Sequence, residues 1–393
     1  MTTEPPPAQP LNNKASDAEA DVSIVVPTYR EADNIRQLVG RISRALEPTG
    51  RGYEIIIVDD DSQDGTEQIV SQLQAEGAPV RLEVRRNQRG LSSAVVYGFD
   101  QARGDLLVCM DADLSHPPEA LPALLECLDK DPQADFVIGS RYVPGGSTEQ
   151  GWGLFRWLNS KVATLLARPF TSAKDPMAGF FALRRDTLRR AEHIDPIGYK
   201  IGLELIVKCR CRNIREVPIH FADRKLGQSK LNLRQQLDYL RHIKRLADVK
   251  YGGYSQLAQF CLVGATGIVV NLVVFKLLMW AGLIDLIASA IAIWLSMTTN
   301  FYLNRRLTFS YSRKHSPWGQ YPKFLASCSL GGIINWAIFA TLTTYVTPFD
   351  RYKLSAQFVG IVAGTFLNFL LSRTWVFGRI THPLTQTDRT QVP

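Results

Sequence analysis

Cysteine is scarce and scattered in this chain: six in 393 residues, with no CxxC pair among them. The two closest, Cys209 and Cys211, are separated by one arginine and have no further ligands at metal-binding spacing. A zinc module and a disulfide scaffold are therefore excluded, and reduced thiols are expected. No leader is expected at the start of this sequence either. The segment 1–20, rich in proline, alanine, asparagine and aspartate, holds neither a basic n-region nor an apolar h-region. It reads as a disordered tail, which leaves the half that follows it in the cytoplasm. Long apolar runs are absent up to about Lys250, whereas four follow between about 256 and 377. A soluble α/β half and a membrane half are the consequence.

The formal net charge of +8 raises nucleic acid as a partner. The basic residues, however, gather beside the apolar runs, at Arg305-Arg306, at Arg313-Lys314 and through 234–250. That placement suits lipid headgroups, so no nucleic-acid partner is expected.

In the soluble half, short apolar runs of strand length lie at 22–27 (VSIVVP), 54–58 (EIIIV), 81–84, 105–110 (DLLVCM) and 135–138. Helix-length segments such as 33–45 and 66–74 separate most of them. The alternation predicts a parallel sheet flanked by helices, with its ligand crevice at the carboxyl ends of the strands. Polar clusters fall at those ends: Thr28-Tyr29-Arg30-Glu31, Asp59-Asp60-Asp61-Ser62 and Asp111-Ala112-Asp113. Two segments, about 152–170 and 231–253, mix apolar and basic residues and are expected to lie on the membrane surface.

Four spans are predicted at about 257–278, 284–303, 324–347 and 354–375, each near the roughly 20 residues needed to cross a bilayer. The loop 304–323 carries Arg305, Arg306, Arg313, Lys314 and Lys323. The positive-inside rule therefore assigns it, the N-terminal domain and a C-terminal tail over 379–393 to the cytoplasm. The membrane half also repeats itself. NFYLNR at 300–305 is echoed by NFLLSR at 368–373, and GIVVN at 267–271 by GGIIN at 331–335. A duplicated helical hairpin with both copies in one orientation follows. Asn271, Asn300, Asn335 and Asn368 are expected to hold helices together rather than bind ligand.

Asp111 and Asp113 follow an apolar strand, so their carboxylates project together at its carboxyl end. Such a pair suits a hard divalent cation, Mg²⁺ or Mn²⁺, that also holds diphosphate oxygens. In that context a longer series of motifs is legible: VPTY with Glu31, VDDDSQDGT at 58–66, GLSSA at 90–94, DADLSHPPE at 111–119, GSRY at 139–142, DPMAGFF at 175–181, GYKIGLE at 198–204 and GQSK at 227–230. It resembles the signature of family-2 glycosyltransferases, and within them is similar to the polyprenol (dolichol) phosphate mannose synthases. The membrane half resembles the small GtrA-like four-span domain.

The resemblance implies an α/β GT-A fold (nucleotide-diphospho-sugar transferase, Rossmann-like) over 21–230, an amphipathic interface helix over 231–253 and an all-α four-helix transmembrane domain over 254–378. It implies that Pro27, Tyr29, Glu31, Asp59, Asp60 and Arg89 hold base and ribose, and that Asp111, Ala112 and Asp113 meet metal and diphosphate. Ser115 stands where several relatives carry a metal-binding glutamine, a weaker ligand if it is one. Arg141, Arg156, Ser160 and Arg224 match positions used for the lipid phosphate and the transferred group, with Lys230 a further contact. The implied reaction is inverting transfer of one hexose, mannose from GDP-mannose, to a polyprenyl phosphate at the cytoplasmic face of the bilayer. UDP-glucose is the alternative donor, and translocation of the sugar-lipid by the spans is an alternative of another class. A processive synthase would need a QxxRW signature, which is absent. Asp175 is expected to orient an arginine or cap a helix as readily as to act as a base, and His116 to shape its loop.

Overall fold

The structure is a computed structural model describing residues 20–148, 154–191, 193–195, 197–222 and 233–378, with side chains described from 160 onward in the second segment and from 235 onward in the last. The expected terminal tails, Arg224, Lys230 and the GQSK motif lie outside the described residues. The chain forms two compact units, one ending at Lys250 and one beginning at Tyr251.

The first unit is built on strands β1 (Val22–Thr28), β2 (Tyr53–Asp59), β3 (Val80–Val84), β4 (Leu106–Cys109), β5 (Phe136–Ser140), β6 (Ser147–Thr148), β7 (Phe181–Arg184), β8 (Ile214–Pro218) and β9 (His220–Phe221). Seven of them form one sheet in the order β3-β2-β1-β4-β7-β5-β8, and β6 pairs with β9 apart from it. Side chains alternate between faces as the two-residue period requires. Val22, Ile24, Val26, Ile55 and Ile57 join one apolar layer, whereas Val25, Ile56 and Val58 join the other.

Helices α1 (Ala32–Leu46), α2 (Thr66–Ala75) and α4 (Leu121–Lys130) contribute buried residues to the first layer. Helices α3 (Leu91–Gln101) and α7 (Ile201–Lys208) contribute to the second. The remaining helices of this unit are α5 (Leu154–Ala167), α6 (Arg185–Arg189) and α8 (Leu233–Tyr251). Helix α3 sits so close to β1 that a Cβ on Gly98 would come within 2.4 Å of Val25.

The sheet is mixed rather than parallel throughout. β7 runs antiparallel between β4 and β5, which are otherwise separated. An antiparallel strand enters the sheet at the edge where its parallel neighbours leave it. The reversal therefore brings the segment ahead of β7, from Asp175 to Phe180, to the edge where β1, β2 and β4 end.

Helix α8 docks on this unit by a buried charge cluster. Glu204, fully buried on α7, meets Lys208 at 2.8 Å, Arg245 at 3.1 Å and His242 at 3.2 Å. Desolvation alone would push the Glu204 carboxyl up, but His242, Lys208 and Arg245 outweigh it and hold its pKa below the ordinary value. Tyr239 donates to the Ala163 carbonyl at 2.7 Å, and Leu246 packs with Ala167, Phe170, Leu203 and Val207. Leu237, Leu240 and Val249 of α8 and Val162 and Leu165 of α5 are left exposed.

The second unit consists of α9 (Gly253–Trp280), α10 (Asp285–Leu303), α11 (Pro317–Tyr345) and α12 (Lys353–Leu371). With the turns that extend α10 and α12, they give four candidate spans: Gly253–Trp280, Asp285–Thr308, Pro317–Tyr345 and Lys353–Val376. Most ends overrun the apolar runs, because helical hydrogen bonding continues into the polar flanks. The third span instead stops at Tyr345, short of the expected 347, ahead of Pro348. α9 packs chiefly on α10, and α11 on α12.

The duplication is visible in the structure. Both hairpins end in a π-helical turn, Asn304–Thr308 and Ser372–Val376. Phe260, Phe301 and Phe309 of the first copy correspond to Phe324, Phe369 and Phe377 of the second, and all six share one buried cluster. Phe309 and Phe377 stack on each other with centroids 4.8 Å apart.

Candidate active site

Three loops meet at the carboxyl edge of β1, β2 and β4. They are stitched together by polar groups: the Arg30 amide donates to Ser62 Oγ at 2.8 Å and the Ala32 amide to Asp64 at 3.1 Å. Arg30 takes a left-handed φ of 62°. Pro27 belongs to β1, and Tyr29 just beyond it is exposed, with the guanidinium groups of Arg30 and Arg89 5.3 and 5.2 Å from its ring centre. Glu31 accepts from Asn34 Nδ2 at 2.7 Å.

Asp59 and Asp60 stand at the same edge but are buried and already engaged. Asp59 accepts from the Ser62 amide at 2.8 Å and from its hydroxyl. Asp60 accepts from Arg85 Nε at 2.8 Å and from the Gly90 amide at 2.7 Å. The second pair of contacts fixes the loop that carries Arg89, so Asp60 shapes this end of the site by holding its neighbours.

The acidic pair lies two strands over, beyond β1. Asp111 and Asp113 are half-buried and flank the buried Ala112 in the loop after β4. The Asp111 amide donates to Nδ1 of His116 at 3.0 Å. Burial holds the pKa of His116 below its ordinary value, with Asp111 and Asp113 opposing the shift, so the ring is neutral and carries its proton on Nε2. The ring stacks on Phe180, 5.4 Å between centroids, and acts as the loop's internal brace. Ser115 is almost fully buried and donates its hydroxyl to Asp113 Oδ1 at 2.5 Å, with its amide at 3.1 Å from the same oxygen. In this geometry Ser115 positions a carboxylate.

Near enough to feel the charge of Asp111 stands Arg141, directly after β5. Asp175, fully buried in the loop before β7, grips it with two parallel bonds, Nε at 2.7 Å and a terminal nitrogen at 2.8 Å, and also accepts its amide at 3.1 Å. Desolvation would lower the pKa of Arg141, but Asp175 outweighs it and the net shift is upward. A carboxylate held this way is an orienting group and has no free lone pair directed at substrate. The Arg141 guanidinium also lies 5.1 Å from the ring centre of Phe221. Ser160 on α5 is 3.1 Å from the Tyr142 hydroxyl. Arg156 lies on the same helix, and its side chain is outside the described part.

One cation escaped the sequence reading. Lys200 caps α7 at its N-terminus, half-buried, with its ammonium 4.5 Å from the ring centre of Tyr199. Burial, reinforced by Arg141 and partly offset by Asp175 and Asp111, brings its pKa down to about 8. The residue sits in the GYKIGLE motif, but no spacing rule distinguishes that lysine from a solvated one.

Among the described residues no cluster of three or more metal-ligating side chains occurs. Asp111 and Asp113 nevertheless fit a hard cation. Gly179 faces Asp111, where a Cβ would stand 3.4 Å from both carboxylate oxygens, so the space beside that carboxylate stays open. Two carboxylates leave the remaining positions of an octahedral ion to diphosphate oxygens and water, as such sites commonly do.

Residues 23–191 match the family model for glycosyl transferase family 2, and 259–377 that for the GtrA/DPMS transmembrane domain. A dolichol-phosphate mannosyltransferase from Pyrococcus furiosus is 38% identical over 360 residues, 90% of this chain and 99% of that one. The enzymes of the same name from Mycosarcoma maydis and Saccharomyces cerevisiae are 46% and 42% identical over 58% and 59% of this chain, and 80% and 89% of their own.

Proposed function

The chain belongs to the dolichol-phosphate mannosyltransferases, and for this member we propose inverting transfer of a single mannose from GDP-mannose to the phosphate of a polyprenyl lipid at the cytoplasmic membrane face. The observation that carries the reading is the juxtaposition of opposite charges, in which Arg141 and Lys200 both feel the charge of Asp111. Asp111 and Asp113 supply the negative charge, and Arg141, locked by a buried Asp175, supplies the positive with Lys200 near it.

The chemistry asks little else of the protein. The acceptor phosphate is anionic at neutral pH, so no side chain has to remove a proton from it. Its oxygen attacks the anomeric carbon as the bond from that carbon to the nucleoside diphosphate breaks, and the diphosphate leaves with the electron pair. The site supplies alignment and positive charge. Arg141 offers a fixed guanidinium edge toward phosphate oxygens, and Lys200 adds a second cation. Asp111 and Asp113 would hold Mg²⁺ or Mn²⁺, which when bound offsets the charge of the departing diphosphate. Tyr29, Glu31 and Arg89 border the space for base and ribose, while Asp59 and Asp60 keep those loops in register.

The bilayer supplies the acceptor. The exposed apolar side chains of α5 and α8 are suited to the headgroup region, where a polyprenyl phosphate keeps its chain in hydrocarbon. Arg305, Arg306, Arg313, Lys314 and Lys323 between the second and third spans favour a cytoplasmic placement for the catalytic half.

The test is a donor panel: the purified full chain, a short polyprenyl phosphate, Mn²⁺, and labelled GDP-mannose, UDP-glucose and related nucleotide-sugars. Lipid-linked mannose from GDP-mannose alone is expected. Glucose transfer from UDP-glucose at the higher rate would overturn the donor assignment, and no lipid product from any donor would overturn the reading. Lys200 gives a second check. Its charge is present below pH 8 and lost above it, so turnover should fall as pH rises through about 8. Lys200→Met should lower kcat about a hundredfold and flatten that alkaline limb. An unchanged pH profile in the variant would remove Lys200 from the site.

A further inference from the structure

The two hairpins of the membrane half bond a corresponding pair of asparagines differently. In the second copy, the Asn368 amide in α12 is satisfied: its Oδ1 accepts from Ser327 Oγ at 2.6 Å, and its Nδ2 lies 3.4 Å from Cys328 Sγ. In the first copy the equivalent asparagine is Asn300, and the positions of Ser327 and Cys328 are taken by Val263 and Gly264. The Oδ1 of Asn300 has no hydrogen-bond partner. One helical turn on, Asn304 is only 2% exposed and its Oδ1 is likewise without a partner, whereas the equivalent Ser372 hydroxyl lies 3.5 Å from Asn368 Oδ1.

These two amides line a cavity of about 520 Å³ whose walls include Phe260, Gly264, Ile268, Ile361 and Phe366. Its size lies within the roughly 300–1,000 Å³ usual for ligand pockets. An unpaired amide at membrane depth is costly because hydrocarbon offers it nothing. Two oxygens without donors, four residues apart on one helix face, together with a glycine where the duplicate carries a partner, describe a site that lacks a hydrogen-bond donor.

We propose that this cavity binds a neutral lipid with a hydroxyl head, the hydroxyl donating its single proton to Oδ1 of Asn300 or of Asn304 and the apolar chain lying along α9 and α12. The head must carry a donor, because the orphaned atoms are acceptors, so an ester or ether lipid does not satisfy them. It must also be uncharged, since no acidic or basic side chain lines the cavity to compensate a phosphate or an ammonium. The site is separate from the transfer crevice, all of whose residues belong to the first unit.

The experiment uses the full chain in phosphatidylcholine nanodiscs and an isoprenoid alcohol carrying a diazirine on its chain, beside the same probe with hydrogen in place of the hydroxyl. On irradiation the alcohol should label peptides from α9 or α12, and the hydrocarbon should label them about tenfold less, the discrimination expected of one neutral hydrogen bond. The double variant Asn300→Leu, Asn304→Leu should reduce labelling by the alcohol to the hydrocarbon level. Gly264→Phe is an independent block: a Cβ there meets no atom within 4 Å, so the ring grows into the cavity. Retained mannosyl transfer certifies that each variant is folded. Equal labelling by the two probes, or wild-type labelling of folded variants, would overturn the site.

Discussion

Asp113→Asn should lower turnover by about a thousandfold, on the order of 4 kcal/mol of barrier, with little change in thermal stability. The substitution keeps shape and volume, and the Ser115 hydroxyl still finds an oxygen to donate to. What it removes is one of two negative charges at the carboxyl end of β4. Half-maximal activity should then require a higher Mn²⁺ concentration, a readout that a purely structural aspartate would not move. Ser115→Ala should give a smaller loss, about tenfold to a hundredfold, as expected of a residue that aims a ligand. Activity of Asp113→Asn within tenfold of wild type would remove the pair from the site.

Asp175→Ala should be damaging in a different way. Asp175 is fully buried and its partner Arg141 is 12% exposed, so deleting the carboxylate strands a guanidinium away from water. Breaking such a pair costs about 3–5 kcal/mol, which in a domain of this size corresponds to a drop in melting temperature of roughly 10 °C. Transfer should be lost as well, because Arg141 is no longer aimed. Adding Arg141→Met to Asp175→Ala separates the two effects. An apolar pair should recover much of the stability and none of the activity. A double variant that regained transfer would show that Arg141 is only structural. A single variant as stable as wild type would show that the pair is not buried in solution.

The parts of this fold that were legible in the sequence are those governed by periodicity. The strands at β1, β2 and β4 announced themselves as short apolar runs ending in polar clusters, and the four spans as long apolar ones. β7 was hidden. Phe181–Arg184 is only four residues long and takes its direction from pairing with strands far away in sequence. Direction is a tertiary property, and the alternation of strands and helices predicted a uniformly parallel sheet in its absence.

The site divides the same way. Asp111 and Asp113 were visible because one intervening residue puts both at the end of a strand. That Asp60 is committed to Arg85 and Gly90, that Ser115 serves Asp113, and that Lys200 is desolvated beside Arg141 are facts of burial, which neither spacing nor composition encodes. What separates Asn300 from its repeat partner is hidden for a related reason. Its sequence context matches that of Asn368, and only the packing reveals that the Oδ1 of one accepts from Ser327 while that of the other has no hydrogen-bond partner.

The inserted strand sets an order on biosynthesis. While the ribosome has delivered β1 to β5, the sheet exists as two fragments with a gap between Leu106–Cys109 and Phe136–Ser140, and each faces that gap with unpaired backbone. Closure waits for Phe181–Arg184. A polypeptide truncated ahead of that point keeps both fragments open and should aggregate, whereas one that extends through β8 at Pro218 can seal the seam before its first hydrophobic span has been made.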